Sequence, residues 1–115
     1  VSPQHRMLVQ TSDHDQVLVP AKSLIDRIGV RRMNGRKTVE YVHLVFDRHE
    51  IVSAEGCWSE SFFPGAYALS QADRRTRAEL FAIYSGLATS GPPQNARRLI
   101  KATQARDMAP LVAAQ

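Results

Sequence analysis

Apolar positions are densest between residues 39 and 64 of the 115-residue chain. Six of the eight side chains from Val39 to Phe46 are apolar, and they fall on both alternating faces of an extended segment. A strand that is apolar on both faces is usually central in a sheet and covered by protein on each side. The pattern therefore predicts a central strand here, paired through a turn at Asp47-Arg48 with a second strand at Glu50–Ala54.

Shorter extended segments flank this predicted hairpin. Arg6–Val9 and Gln16–Ala21 have the residue types of strands, and Pro20 confines the second of them to an end or an edge of a sheet. Glu55-Gly56 predicts another turn, and Cys57–Phe63 a further extended piece after it. Residues 1–65 are therefore predicted to be β-rich.

Beyond Pro64 the apolar pattern changes to helical spacing. The sequence from Ser70 to Asp73 resembles a capping box, and it precedes apolar residues at helical spacing up to Tyr84. A second helix is predicted from Asn95 to about Met108. The predicted fold is mostly β, with twisted strands and hairpins and two C-terminal α-helices. We expect residues 66–115 to be a helical extension packed on the β part in a single structural unit.

The net charge of +4 comes from the C-terminal part of the chain. Residues 66–115 contain seven Lys or Arg and three Asp or Glu, whereas the two signs balance in residues 1–65. No aromatic residues interleave the basic clusters, so a solvated helix face is favoured over a nucleic-acid site. No apolar run reaches the roughly 20 residues of a membrane helix, which excludes a transmembrane function class.

Candidate chemistry is carried by histidines and one cysteine. His5, His43 and His49 are separated by 38 and 6 residues, which matches no metal-site signature, so neither a metal nor a cofactor is predicted. A two-residue loop at Asp47-Arg48 would place His43 and His49 on opposite faces of the ribbon, and a three-residue loop would reverse this. Cys57 fits a small buried apolar residue better than a nucleophile, because no activating group is near it in sequence.

Two sequence blocks resemble those of the Hedgehog/intein (Hint) autoprocessing family. VSPQHRMLV is similar to a block with the motif Thr-x-x-His, with Ser2 at the Thr position and His5 as the motif histidine. YVHLVFDRHEIVSAEG is similar to the later block that ends the Hint fold. His49 and Gly56 fit that block, and His43 falls where it often has Asp. With SESFFPG and ARRLIKATQAR, the string is most similar to bacterial Hint proteins of unassigned role.

The resemblance implies autocatalytic cleavage of the peptide bond that precedes the domain. His5 would donate a proton to the departing amide nitrogen, and Ser2 would position the scissile backbone. His43 and His49 are further candidate site residues, and His43 would orient or relay. The partner implied is the upstream segment of the same polypeptide. A degenerate Hint fold that serves as a non-catalytic binding or structural module of a larger bacterial protein is the alternative.

In the Hint family the block with the nucleophile precedes the Thr-x-x-His motif. That motif opens this chain, so we expect the nucleophile to be missing from residues 1–115. Intein splicing also uses a terminal His-Asn pair, and neither Asn34 nor Asn95 follows a histidine here. A Hedgehog-like or hydrolytic release of an upstream segment is therefore expected instead of splicing.

The 115-residue chain alone should cleave nothing, because its nucleophile lies outside it. Incubation with a thiol or hydroxylamine followed by intact-mass analysis should give a single unchanged species. A new fragment from one specific internal bond would contradict this expectation and would identify Cys57 as the nucleophile to test.

Overall fold

The computed structural model describes residues 1–27, 29–35, 38–84, 86–108 and 112–113. The strands are β1 (Arg6–Gln10), β2 (Gln16–Pro20), β3 (Ile51–Ala54), β4 (Cys57–Glu60), β5 (Arg98–Leu99) and β6 (Val112–Ala113). The helices are a turn of 3₁₀ helix (Ala21–Leu24) and α1 (Ala66–Gln71), α2 (Arg74–Ile83), α3 (Leu87–Ser90) and α4 (Ala102–Asp107). The predicted mostly-β fold with a C-terminal helical appendage is confirmed.

The β1–β2 hairpin lies at the centre of the sheet. Its strands pair antiparallel from Arg6 opposite Pro20 to Gln10 opposite Gln16. The strand order is β3-β4-β1-β2-β5, and β6 also pairs with β1. Because β4 pairs with the start of β1 and β6 with its end, the edge of β1 that faces away from β2 is shared between them.

Both faces of the central hairpin are buried. On one face the valines of β1 and β2 pack against the 3₁₀ turn and α4, in a cluster of Val9, Val17, Val19, Leu24, Ile100 and Ala105. On the other face Leu8 and Leu18 pack against Ile51 and Leu99. The apolar side chains of β1 and β2 therefore supply most of the core of the β part.

The predicted central strand at Val39–Phe46 is wrong. Residues 38–46 have no regular secondary structure, and their side chains are mostly exposed, with Val42 at 80%. The Phe62 N–H donates to the carbonyl of Leu44 at 2.8 Å, but no described strand lies beside the segment. An apolar pattern predicts a buried strand only where a partner covers it, and here the β1–β2 hairpin occupies the central position instead.

A tight hairpin forms at the next turn along the chain. Strands β3 and β4 pair antiparallel over four positions, across the two-residue loop of Glu55 and Gly56. These residues have φ values of 52° and 76°, and two positive φ angles are what a type I′ turn requires. The turn predicted at Glu55-Gly56 is confirmed, whereas Asp47-Arg48 does not close a hairpin.

The helical part differs from its prediction at both ends. The Asp73 carboxylate accepts a 2.7 Å hydrogen bond from the Thr76 N–H, so Asp73 is the N-cap of α2 and not the last position of a capping box. The helix predicted from Asn95 to Met108 is wrong over its first half, where Arg98 and Leu99 form β5. Pairing with β2 satisfies backbone groups there that a helix would otherwise have bonded.

The side chains of Tyr84 and Arg27 connect the helical segments with the β part. The Tyr84 hydroxyl donates to the Phe62 carbonyl at 2.9 Å, above a small apolar cluster. The Arg27 guanidinium donates to the carbonyls of Ala105 and Arg106 at 2.9 and 2.7 Å. These carbonyls lie in the last turn of α4, where a cation also complements the helix dipole.

Substitution of two valines tests which segment forms the core. Val19→Ala should lower the free energy of unfolding by roughly 2–3 kcal/mol, because it removes fully buried methyl groups and leaves a cavity. Val42→Ala removes the same atoms from an exposed site and should change the free energy of unfolding by less than about 0.5 kcal/mol. Urea denaturation followed by circular dichroism measures both values. A comparable loss for Val42→Ala would mean that residues 39–46 are covered in solution.

Candidate active site

A cleft of about 830 Å³ opens where the start of β1, the end of β4 and helices α1 and α2 meet. Its lining includes ionisable, hydroxyl and aromatic side chains, among them Ser2, His5, Arg6, His43, Glu60 and Phe62. Strands β1 and β4 pair antiparallel with Met7 opposite Ser59, and this register places Arg6 opposite Glu60. The strand pairing that builds the sheet therefore also assembles the polar groups of the cleft.

His5 precedes β1, and its backbone is held on both sides. Its N–H donates to the Ser2 carbonyl at 3.1 Å, and its own carbonyl accepts from the Ala21 N–H at 2.8 Å. The ring nitrogen Nε2 is buried and has no hydrogen-bond partner among the described residues. A buried ring nitrogen without a partner is unusual and calls for an explanation.

The charged form of His5 is disfavoured by its surroundings. Burial lowers the pKa of His5 below its ordinary value, because the ring loses hydration that the imidazolium needs. Glu60 opposes this lowering through its carboxylate and its backbone, while His43 and the N-terminal amine add to it. The charge state of His5 therefore depends on the balance between burial and Glu60.

Behind the cleft, His49 and Glu60 form a buried hydrogen-bonded pair. The His49 Nε2 lies 2.9 Å from the Glu60 Oε2. The Glu60 Oε1 accepts the backbone N–H of Arg6 at 3.0 Å, and the Arg6 guanidinium lies 3.5 Å from Oε2. Desolvation raises the pKa of Glu60, but the His49 hydrogen bond and the two Arg6 interactions outweigh it and hold the pKa below its ordinary value.

The hydrogen bonds of His49 determine which ring nitrogen carries its proton. The backbone N–H of Ala96 donates to Nδ1 at 2.9 Å, so Nδ1 is an acceptor. Nε2 is then the protonated nitrogen and donates to Glu60. Because both ring nitrogens are occupied, His49 has no free proton or lone pair for the cleft, and it contacts the cleft lining through Glu60.

The other predicted site residues lie at different depths. Ser2 is half-buried in the lining of the cleft. His43 also lines the cleft, and its ring packs edge-on against Phe62 with centroids 5.4 Å apart. The predicted ribbon does not form, so neither loop length sets the relation of His43 to His49. His43 lies on the surface of the cleft, and His49 is buried behind it.

Sequence reasoning missed Glu60 and Ala96. Glu60 is 54 residues from Arg6 and 11 from His49 in sequence, so no local motif connects these groups. The available signal is a carboxylate immediately before an apolar Ser-Phe-Phe-Pro segment, because a buried charge must have partners. The buried interpretation of Cys57 is wrong, since its side chain is exposed at the start of β4.

Residues 1–66 match a family model described as a Hint domain, which covers more than half of the chain. The chain belongs to the Hint domain family. Neither a curated protein nor a solved structure matches it. The Hint match includes Ser2, His5 and His43 together with the His49–Glu60 pair. The residue whose N–H binds His49 lies outside the matched range, so the C-terminal part of the chain completes an arrangement that begins in the Hint domain.

The described residues of this Hint chain lack two further features, a metal-ion site and a membrane-spanning helix. In the described ranges, no group of three or more His, Cys, Asp or Glu side chains is placed to hold a metal ion. None of the helices that the structure describes is both long enough and apolar enough to cross a membrane.

The lowered pKa of His5 predicts a loss of stability as the pH falls below 6.5. The unfolded chain binds a proton at His5 near pH 6.5, whereas the folded Hint chain binds it only at lower pH. Unfolding therefore takes up a proton in this window, and the free energy of unfolding should decrease from pH 6.5 down to the folded pKa. His5→Gln should flatten this part of the profile in urea denaturation at stepped pH.

Glu60 provides an internal control for that experiment. Its lowered pKa contributes stability above its unfolded value of about 4.5, and this stability is lost as the pH falls through the folded pKa. His5→Gln should keep this acid limb, to which the Asp73 cap also contributes. An unchanged slope just below pH 6.5 in His5→Gln would show that His5 is not the responsible group.

Proposed function

We propose that the chain is the C-terminal portion of an autoprocessing Hint domain that cleaves the peptide bond preceding the domain by an N-to-S or N-to-O acyl shift. One observation carries the proposal. His5 lines a cleft that Ser2 and His43 also line, and its buried Nε2 has no hydrogen-bond partner among the described residues. A proton-transfer group with a free nitrogen beside a hydroxyl is the equipment that this reaction needs.

In the proposed reaction a cysteine thiol or serine hydroxyl attacks the carbonyl carbon of the preceding residue. His5 accepts the proton of the nucleophile as the C–S or C–O bond forms, then gives it to the amide nitrogen as the C–N bond breaks. The products are a thioester or ester at the junction and a free amino group, and water then hydrolyses the ester and releases the upstream segment. The lowered pKa of His5 suits this role, because the ring must begin neutral and become an acid within one cycle.

The nucleophile in this proposal comes from outside residues 1–115. Cys57 is exposed in the β3–β4 hairpin and is not part of the cleft lining. Ser2 lies in the cleft, but in the proposed mechanism its hydroxyl holds the scissile backbone. The partner of the domain is therefore a preceding segment of its own polypeptide, which carries the Cys or Ser and delivers the junction to His5.

Ser2 and His43 are proposed as positioning groups. The Ser2 carbonyl accepts a hydrogen bond from the His5 N–H, so the two residues belong to one backbone turn. His43 rests against Phe62 on the wall of the cleft and can orient the junction or relay a proton. Because His43 lies in a segment without regular structure, its position is less firmly held. We therefore expect it to make a smaller contribution to cleavage.

A non-catalytic Hint module that binds a partner is the second candidate. The observation in its favour is the exposed apolar segment Val39–Phe46 beside the cleft, a feature that marks interaction sites on soluble proteins. The exposed arginines of α2 would add charge to such an interface. The same substitution of His5 separates the candidates, because a binding module does not require the imidazole.

His5→Ala in the parent polypeptide with its preceding segment should slow N-terminal cleavage by roughly 10²–10⁴-fold, the usual contribution of general acid–base catalysis. Ser2→Ala should have a smaller effect, because other groups still hold part of the scissile backbone. Cleavage rates from gels or intact-mass analysis measure both, with circular dichroism to verify folding.

His14→Ala is the matched control. His14 lies in the exposed β1–β2 turn, away from the cleft, and its substitution should leave the cleavage rate unchanged. Cleavage at the wild-type rate by a folded His5→Ala protein would overturn the autoprocessing proposal and favour the binding module.

A further inference from the structure

Glu60 lines the cleft beside His5, yet the reaction proposed above gives it no role. The carboxylate is 8% exposed, and burying a charge in this way is unfavourable unless hydrogen bonds compensate it. Three groups supply that compensation: the Nε2–H of His49, the backbone N–H of Arg6 and the Arg6 guanidinium. The chain therefore maintains an ionised carboxylate at the wall of the cleft.

The β1–β4 pairing brings that charge to the same cleft that His5 lines. Arg6 is bonded to Glu60 across the β1–β4 pairing, and His5 immediately precedes Arg6. Four charged or titratable groups surround His5. They are Glu60 at the end of β4, His43 in the irregular segment, Arg6 at the start of β1 and the N-terminal amine. Glu60 is the acidic group in this set, so it alone favours the charged ring.

The anchoring of Glu60 fixes its direction as well as its charge. Oε1 is occupied by the Arg6 N–H and Oε2 by His49, so the carboxylate cannot rotate away from the cleft without losing a bond. His49 is in turn held by the N–H of Ala96, which makes Nε2 the donor nitrogen. A residue beyond the family match therefore helps to hold the charge beside His5.

We propose that Glu60 is the positioning residue for His5: its anchored carboxylate stabilises the imidazolium that forms when His5 takes the proton of the nucleophile, until that proton passes to the amide nitrogen. This inference rests on the proposed function for its chemical step. The electrostatic relation between Glu60 and His5 is independent of that step and can be measured in the 115-residue chain.

Glu60→Gln tests the relation without a change in side-chain size. Glutamine keeps an oxygen that can accept the Arg6 N–H but has no negative charge. In nitrogen-15 NMR spectra of the imidazole rings, the titration midpoint of His5 should move to lower pH than in the native chain. Glu79→Gln makes the same chemical change on the exposed surface of α2 and should leave the His5 midpoint in place. An unchanged midpoint in folded Glu60→Gln would overturn the proposal.

The same variants in the parent polypeptide test the chemical step. Glu60→Gln should slow cleavage at least about tenfold and move the acid limb of its pH–rate profile in the same direction as the NMR midpoint. If Glu60 had a purely structural role, its substitution would reduce the amount of active protein but would leave the pH–rate profile of the remaining active protein unchanged. That result would overturn the proposal. If the native parent does not cleave while the NMR midpoint still moves, the proposed function fails and the placement of Glu60 beside His5 stands.

A measurement on the native chain covers the case in which Glu60→Gln does not fold. The Glu60 carboxyl carbon, labelled with carbon-13, should show a chemical-shift change with the same midpoint as the His5 ring, in addition to its own titration at lower pH. Coincident midpoints support the proposal. A Glu60 resonance that responds only to its own titration would overturn it.

Discussion

The buried hydrogen bond between His49 and Glu60 is the interaction on which the site depends. It connects His49, two residues before β3, with the end of β4, and each partner makes a further contact. Glu60 reaches β1 through Arg6, and His49 reaches the C-terminal part through Ala96. Loss of either member would leave a buried polar group without a partner, which costs more than the hydrogen bond itself contributes. Four segments distant in sequence are thus held in one arrangement.

Two neighbouring groups in this cleft respond to burial in opposite ways. Glu60 is surrounded by donors, so its charged form is favoured although it is almost fully buried. His5 is less buried, but its Nε2 has no partner, and its charged form is disfavoured. Burial disfavours the charged form of both groups, and for Glu60 the interactions with His49 and Arg6 outweigh it. Glu60 therefore keeps its negative charge, whereas His5 is able to change its charge.

Local patterns predicted the elements whose partners are near in sequence. Strands β1 and β2 and the Glu55-Gly56 turn were predictable, because alternation and turn chemistry act over a few residues. Val39–Phe46 and the region around β5 were not, because their structure depends on whether a distant strand is available for pairing. His5 came from a sequence motif, whereas Glu60 follows only from the β1–β4 register and the His49 contact. Motifs therefore located the reactive group, and tertiary contacts were needed for its surroundings.

We expect the mostly exposed segment Val39–Phe46 to lower the solubility of the isolated chain. Strand-forming apolar residues without proline are the composition of segments that assemble into cross-β fibrils. In the described structure its backbone makes one hydrogen bond, to Phe62, so most of its N–H and C=O groups are open to another chain. Strand addition between copies grows with concentration, and the +4 net charge opposes it only weakly at high ionic strength. Any segment that pairs with residues 39–46 in a longer polypeptide would therefore also protect the protein from aggregation.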